Sequence, residues 1–279
     1  MPFWPRDPHS CLLLTHAEQV KQYSILIMFL RHTITTGALL DMVAALGETT
    51  AGPVLPRLLD HMLESEEGCR ILKERPRINT STVDMAALAR LPENTFGYTY
   101  VTWLERCGVT PDTRDPVRPP PSQSDATALL LTLITQVHYI DDPELAYIMQ
   151  RYRECHDFYH ALCGMPVSVE YELALKVFEF ANLGLPSAAL STAAVVRLNA
   201  AKRARFLSEY VPWALRCGST ARSMITVYWE ERWAQDLGGL KKELGVWDPP
   251  PPKWRRPLSE AKEAAARRVK VAELGGQMS

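Results

Sequence analysis

The 279-residue sequence predicts an all-α fold: a single-domain helical bundle with a proline-bounded helical C-terminal tail. Three observations carry this. Apolar residues recur at spacings of three and four through most of the chain. Capping residues and Pro/Gly stops bracket those segments. No pair of alternating apolar segments joined by a hairpin turn occurs.

From the N-terminus, residues 1–40 form an entry segment, and a helical domain occupies 41–247 with a Pro-rich loop at 108–124. Leu39 to Leu46 is apolar-rich and stops at Gly47. Val54 to Leu72 reads as one helix, with Leu55, Leu58, Leu59, Met62 and Leu63 on one side and Arg75-Pro76 as its end. Val83 to Arg90 is a short helix capped by Ser81 or Thr82. Asn94 to Leu104 is rich in aromatic and β-branched residues, but with no partner strand it reads as helix. After the Pro-rich loop, Asp141-Asp142-Pro143-Glu144 supplies an Asp cap, proline in the first turn and acid at the helix start. Gly164-Met165-Pro166 ends that helix. A second helix follows from Ser168 to Asn182, a third from Ser187 to Leu207, and a fourth from Met224 to Leu244, with Gly238-Gly239 as an interruption. Pro249 to Pro252 cannot continue a helix. Residues 248–279 form a Pro-rich linker and a charged helical tail.

Composition narrows the function classes. The sequence holds 31 basic and 32 acidic residues, a formal net charge of −1, which gives no electrostatic reason for a nucleic-acid partner. Six separated cysteines without a CxxC pair suggest neither a thiolate zinc site nor a disulfide framework. The apolar run Ser24 to Leu30 is far shorter than the ~20 residues that span a bilayer.

The stretch that carries chemistry is Arg151 to Glu172. His156 and His160, four apart, share one helix face and can reach one ion. Asp157 can add an oxygen from the rim of that face. The Gly-Met-Pro turn sends the chain back, so that Glu172 faces the histidines. Two imidazoles and two carboxylates suit Zn²⁺, and also Fe²⁺ or Mn²⁺. The HxxxH pair alone is more often a solvated or core pair; the turn and Glu172 favour the metal. The motif is not HExxH, because Asp157 is a methylene shorter than a general-base glutamate, and the context of an HD phosphohydrolase is missing. Arg151 and Arg153, one to two turns earlier, are candidates to hold a substrate carboxylate. Leu183 to Val196, small and aliphatic, suits core packing or an apolar channel, and basic Arg197, Lys202, Arg203 and Arg205 follow it. Trp213, Trp229 and Trp233 read as core.

HDxxH, eleven residues and Glu resembles the signature of the ubiquinone (coenzyme Q) biosynthesis family of zinc-containing ring C1 decarboxylases. The resemblance extends through Asp41 to Thr50, Arg75 to Ile78, Leu91 to Leu104, Asp142 to Glu154, Lys176 to Glu179, Gly184 to Pro186, Tyr228 to Trp233 and Leu244 to Val246, about four-fifths of the chain. It implies a helical protein that binds one Zn²⁺ through His156, Asp157, His160 and Glu172. It also implies a carboxy-lyase acting on 4-hydroxy-3-methoxy-5-polyprenylbenzoate, oxidatively in some members. The location implied is the matrix face of the mitochondrial inner membrane, peripherally bound, in a complex with other ubiquinone-biosynthesis enzymes. The alternative is a non-catalytic lipid-binding scaffold of that complex with a structural metal. Two departures stand out: residues 1–40 do not resemble the usual entry segment, and Tyr171 stands where glycine usually precedes the ligand glutamate.

Overall fold

The computed structural model describes residues 46–114 and 140–253. The whole entry segment, the Pro-rich loop beyond Arg114 and the charged tail lie outside them. The described residues are all-α, with one isolated bridge, Thr95 to Asp236, in place of any strand.

Residues 46–51 are helical, so Gly47 lies inside a helical turn and not at an end; the rest of the expected segment, Leu39 to Ala45, lies outside the described residues. The segment expected as one helix from Val54 is two, α1 (Leu55–Leu63) and α2 (Glu66–Glu74). Ser65 breaks it. Its backbone is extended and its side chain accepts from Gly68 N, an N-cap that starts a new helix. The break lets α2 fold against α1 so closely that a Cβ on Gly68 would lie 2.2 Å from Met62 O. Arg75 ends α2 in the left-handed conformation, uncommon for a residue other than glycine, and the proline that follows keeps the helix from continuing. The short α3 (Met85–Leu88) is capped by Asp84 accepting from Ala87 N, not by Ser81 or Thr82. Of the segment Asn94 to Leu104, Phe96 to Leu104 is helical as expected, within α4 (Phe96–Cys107), and Thr95 is its N-cap, accepting from Tyr98 N.

Asp142 caps α5 (Pro143–Cys163) through Glu144 N and Leu145 N. Gly164 closes α5 at φ 63°, a conformation that glycine adopts without a steric penalty. α6 (Val169–Leu183) then returns alongside and ends at Gly184.

The expected third helix is broken into α7 (Pro186–Ser191), a 3₁₀ stretch (Thr192–Arg197), α8 (Ala200–Arg205), a π-turn (Phe206–Tyr210) and α9 (Val211–Thr220). Ser191 and Thr192 turn their hydroxyls back onto Ser187 O and Ala189 O, competing with the α-helical ladder. Asn199 then caps α8 through Lys202 N. The expected helix from Met224 is likewise two 3₁₀ turns and a short α10 (Leu237–Leu244). Gly238 and Gly239 do not interrupt it; they form its first turn, where Asp236 accepts from Gly239 N.

α5 is the axis of the molecule. Tyr147, Ile148, Met149 and Tyr152 in its first half pack with α1 and α2 in one core cluster. Cys155, Phe158, Tyr159 and Leu162 in its second half pack with α4, α6 and α9 in another. Each fully buried large apolar side chain contributes roughly 1.5–3 kcal/mol. Phe96, Tyr100, Phe158, Trp229 and Trp233 form one aromatic stack, with Tyr100 and Phe158 centroids 4.8 Å apart and edge to face. Trp229 and Trp213 are core as expected, and Trp233 packs against it. Leu183, Leu185 and Ala188 are also buried in the core, so that part of the small-residue segment is packing and not a channel. The five described cysteines are free. Among the described residues no helix is long and apolar enough to cross a membrane.

Candidate metal centre

His156 and His160 lie in the last two turns of α5, and Glu172 in the first turn of α6. The Gly164 turn and the antiparallel return bring them together, as their spacing predicts. Glu172 Oε2 is 3.2 Å from His156 Nε2, and Glu172 Oε1 is 3.1 Å from His160 Nε2. The two Nε2 atoms are 3.2 Å apart. Both imidazoles are buried, while a third of the Glu172 side chain is exposed. The three groups offer ligand atoms within 4.8 Å of one another and could hold a metal ion.

The outer ring nitrogens decide what the inner ones present. His160 Nδ1 lies 3.1 Å from Met165 O, which can only accept, so Nδ1 carries the hydrogen. Trp103 Nε1 donates to the same carbonyl at 2.6 Å, and its indole stacks on His160 with centroids 5.1 Å apart. His156 Nδ1 donates to Glu179 Oε1. Burial opposes ionisation of Glu179, but Lys176 and His156 hold its carboxyl well below the ordinary range. Tyr152 and Lys176 each donate to Glu179 Oε2 at 2.6 Å. With both Nδ1 atoms committed as donors, two neutral imidazoles turn lone pairs toward the oxygens of Glu172. A proton on one ring relieves one contact; a divalent cation satisfies all three groups together.

Glu172 is itself ionised. Burial opposes the charge, and without a metal a protonated ring at His160 or His156 outweighs it and holds the carboxyl well below the usual range; with both rings neutral, a cation would have to supply that charge. Asp157 is half-buried and lies outside the three-residue group. It borders the centre electrostatically. Burial pushes the Cys107 thiol up to about 11, and the nearby Asp157 and Glu172 charges add to that rise.

The two arginines differ. Arg151 sits about 180° around α5 from His160. It is fully buried, bonded through both terminal nitrogens to Glu230, with Nη2 also 3.3 Å from Val227 O. It is an internal strut, and the expectation that it holds a substrate carboxylate does not fit this geometry. Arg153 lies on the ligand face, one turn before Asp157, with Nη1 3.2 Å from Glu48 Oε1. Glu179 was not singled out in the sequence. Its signal was present: Glu172, Lys176 and Glu179 recur at i, i+4 and i+7 and share one face of α6.

Fold and site define a class: all-helical proteins with a buried His-His-carboxylate centre between two antiparallel helices. The chain belongs to a family within that class. It matches the family model described as "Coenzyme Q (ubiquinone) biosynthesis protein Coq4" over residues 17–124 and 134–250, beginning inside the segment expected to diverge. It is 62% identical over 228 residues to the ubiquinone biosynthesis protein COQ4, mitochondrial, of Laccaria bicolor, covering 81% of this chain and 70% of that one. The protein of the same name from Coprinopsis cinerea is 61% identical over 234 residues, 84% of this chain and 74% of that one. A crystal structure of a Nostoc punctiforme protein assigned to ubiquinone biosynthesis superposes with TM-score 0.58 at 18% identity, over 82% of this chain and 98% of that one, a likeness of fold.

Proposed function

We propose that this protein is a metal-dependent carboxy-lyase of ubiquinone biosynthesis that removes the C1 carboxyl of 4-hydroxy-3-methoxy-5-polyprenylbenzoate. The observation that carries the reading is the convergence of His156 Nε2, His160 Nε2 and Glu172 with no donor among them. His156, His160 and Glu172 hold a divalent cation, Zn²⁺ by ligand type, and Asp157 completes the set from the neighbouring helix position. When bound, the cation supplies Lewis acidity toward a substrate oxygen.

The remaining work falls to the chain. The C1–carboxylate bond breaks, its electron pair stays on the ring, and a proton is delivered to C1 as CO₂ leaves. Arg153, on the ligand face, orients the carboxylate. The buried imidazoles, backed by Trp103 on His160 and Tyr159 on His156, keep water from the inner side. The half-exposed Glu172 and Asp157 mark the side from which substrate arrives. The proposal includes a mitochondrial location, peripheral on the matrix face of the inner membrane, and assembly with other ubiquinone-biosynthesis enzymes. It is supported by the family membership and by relatives named as mitochondrial.

The test uses the purified full chain. Elemental analysis should find about one divalent metal ion per chain. The loaded protein should release CO₂ from the prenylated acid, with and without oxygen tested separately. His160→Ala should keep its helical circular dichroism and lose both metal and CO₂ release. A metal-loaded wild type that releases no CO₂ under either condition ends the enzyme reading. It leaves the lipid-binding scaffold with a structural metal, a reading favoured by the near-complete burial of both imidazoles.

A further inference from the structure

A cavity of about 390 Å³ opens beside the metal centre. Its walls come from the C-terminal end of α4, the Pro166–Ser168 turn, the start of α6, α8, and Lys253 beyond the proline segment. Four cations line it, Arg106, Lys202, Arg205 and Lys253, against one carboxylate, Glu170. That carboxylate is spoken for: buried Glu170 pairs with Arg205 at 2.7 Å. The cavity therefore carries an excess of three positive charges in a chain whose formal net charge is −1.

The walls are tied together at one atom. Tyr171 Oη accepts from Arg205 Nη2 at 3.2 Å and from the backbone N–H of Lys253 at 2.6 Å. This draws the segment after the prolines onto α6 and sets Lys253 opposite α8. Ser168, the N-cap of the 15-residue α6, makes no side-chain capping bond, and its buried Oγ has no partner among the described residues. A helix start that lacks its own acceptor adds partial positive charge where the cations already converge. The surroundings are apolar and exposed. Val167, in the wall, is 46% exposed and Val169 beside it 38%. The stretch of chain around α8 exposes Val196 at 74% and Leu207 at 55%.

We infer that this cavity is a phosphate site for the headgroup of an anionic phospholipid, and that it seats the protein on a membrane surface. Clustered guanidinium and ammonium groups recognise a phosphate. An apolar exposed lip beside them is what distinguishes a lipid headgroup from a free anion, because the lip enters the interface while the phosphate is held. Cys107 lines the cavity and is close enough to Asp157 and Glu172 to feel their charges, and Tyr171 in the wall directly precedes Glu172, so the cavity neighbours the metal centre. The inference gives a physical site to the peripheral membrane location proposed above, and it stands on the cavity and not on the metal.

The experiment is sedimentation of the full chain with vesicles of phosphatidylcholine alone and of phosphatidylcholine with about 20 mol% phosphatidylglycerol. Wild type should bind the anionic vesicles and leave the neutral ones. The exposed lysines are removed together in Lys202→Ala/Lys253→Ala, which should weaken binding roughly fivefold for each lysine, about 25-fold for the pair. The control Lys73→Ala/Lys242→Ala makes the same charge change on exposed lysines outside the cavity and should shift binding little. Metal content should be unchanged in both variants, which separates failure here from failure of the enzyme reading. Equal weakening by the control pair overturns the site. Saturable, calorimetrically detected binding of inorganic phosphate that the cavity variant abolishes, with no preference for anionic vesicles, overturns the lipid in favour of a free anion.

Discussion

His156 Nδ1 donates to Glu179 Oε1, joining α5 and α6 through a carboxylate with no exposed surface. That bond fixes which nitrogen of His156 faces Glu172. Glu179 is held by Tyr152 and Lys176 on its other oxygen, so it cannot swing away without stranding both. It is a positioning residue. Outer carboxylates of this kind commonly contribute 10–100-fold to metal affinity. Glu179→Gln should therefore lower the affinity for Zn²⁺ by roughly that factor while His156, His160 and Glu172 remain in place. Competition with a chelator of known affinity measures it. Unchanged affinity would show that His156 is oriented by packing alone.

Arg151 and Glu230 make a different kind of pair, buried on the far side of α5 from the metal centre. Removing one partner leaves a charge without compensation, which costs about 3–5 kcal/mol when the site is deeply buried. Arg151→Met should destabilise the protein by that order, less whatever relief the partly exposed Glu230 finds in water. Urea unfolding reads the loss. Coupling it with Glu230→Gln in a double-mutant cycle should recover part of it, and metal binding should be unaffected. A variant that is stable but fails with substrate would return Arg151 to the active site.

The contrast between these two pairs explains what the sequence made legible. Asp142-Pro143 and Gly164 announce α5 because capping and left-handed closure are local chemistry. The placement of Glu172 opposite His156 and His160 follows from a short turn and a 3.6-residue period. Ser65, Asn199 and Asp236 were harder to read, since a polar residue inside an apolar pattern resembles a solvated position until its side chain is seen to cap a new helix. The role of Glu179 depends on the register between two helices, and the commitment of Arg151 to Glu230 on a contact 79 residues away. Neither is set by local spacing.

Glu67 should make stability depend on pH. Burial works against its ionisation, but the Tyr228 N–H, Arg222 and Arg232 outweigh that and hold the carboxyl below its ordinary value of 4.5. A carboxyl depressed on folding contributes stability that is fully present above its unfolded pKa and is lost as pH falls through its folded pKa. Wild type should become easier to denature as pH drops below about 4.5. Glu67→Gln should be less stable at neutral pH and lose less between neutral and acid. Parallel curves for the two proteins would place the acid sensitivity elsewhere.

Gly218 tests how tightly the second helix of the metal centre is held. It sits on α9 where that helix crosses α6, and a Cβ there would lie 2.5 Å from Phe178 O and 2.9 Å from Ala181 Cβ. The first contact is backbone, which cannot move aside as a flexible side chain can. α6 must therefore shift or α9 must tilt, and overpacking of a core commonly costs about 1–3 kcal/mol. Alanine's better helix propensity returns at most about 1 kcal/mol, so Gly218→Ala should be net destabilising. Phe178 immediately precedes Glu179, so a displaced α6 also moves the carboxylate that orients His156. The expected result is a lowered unfolding midpoint together with weaker Zn²⁺ binding, both read on one protein. Loss of stability with metal affinity intact would mean that the His156–Glu179 contact is set from the α5 side and rides out a shift in α6.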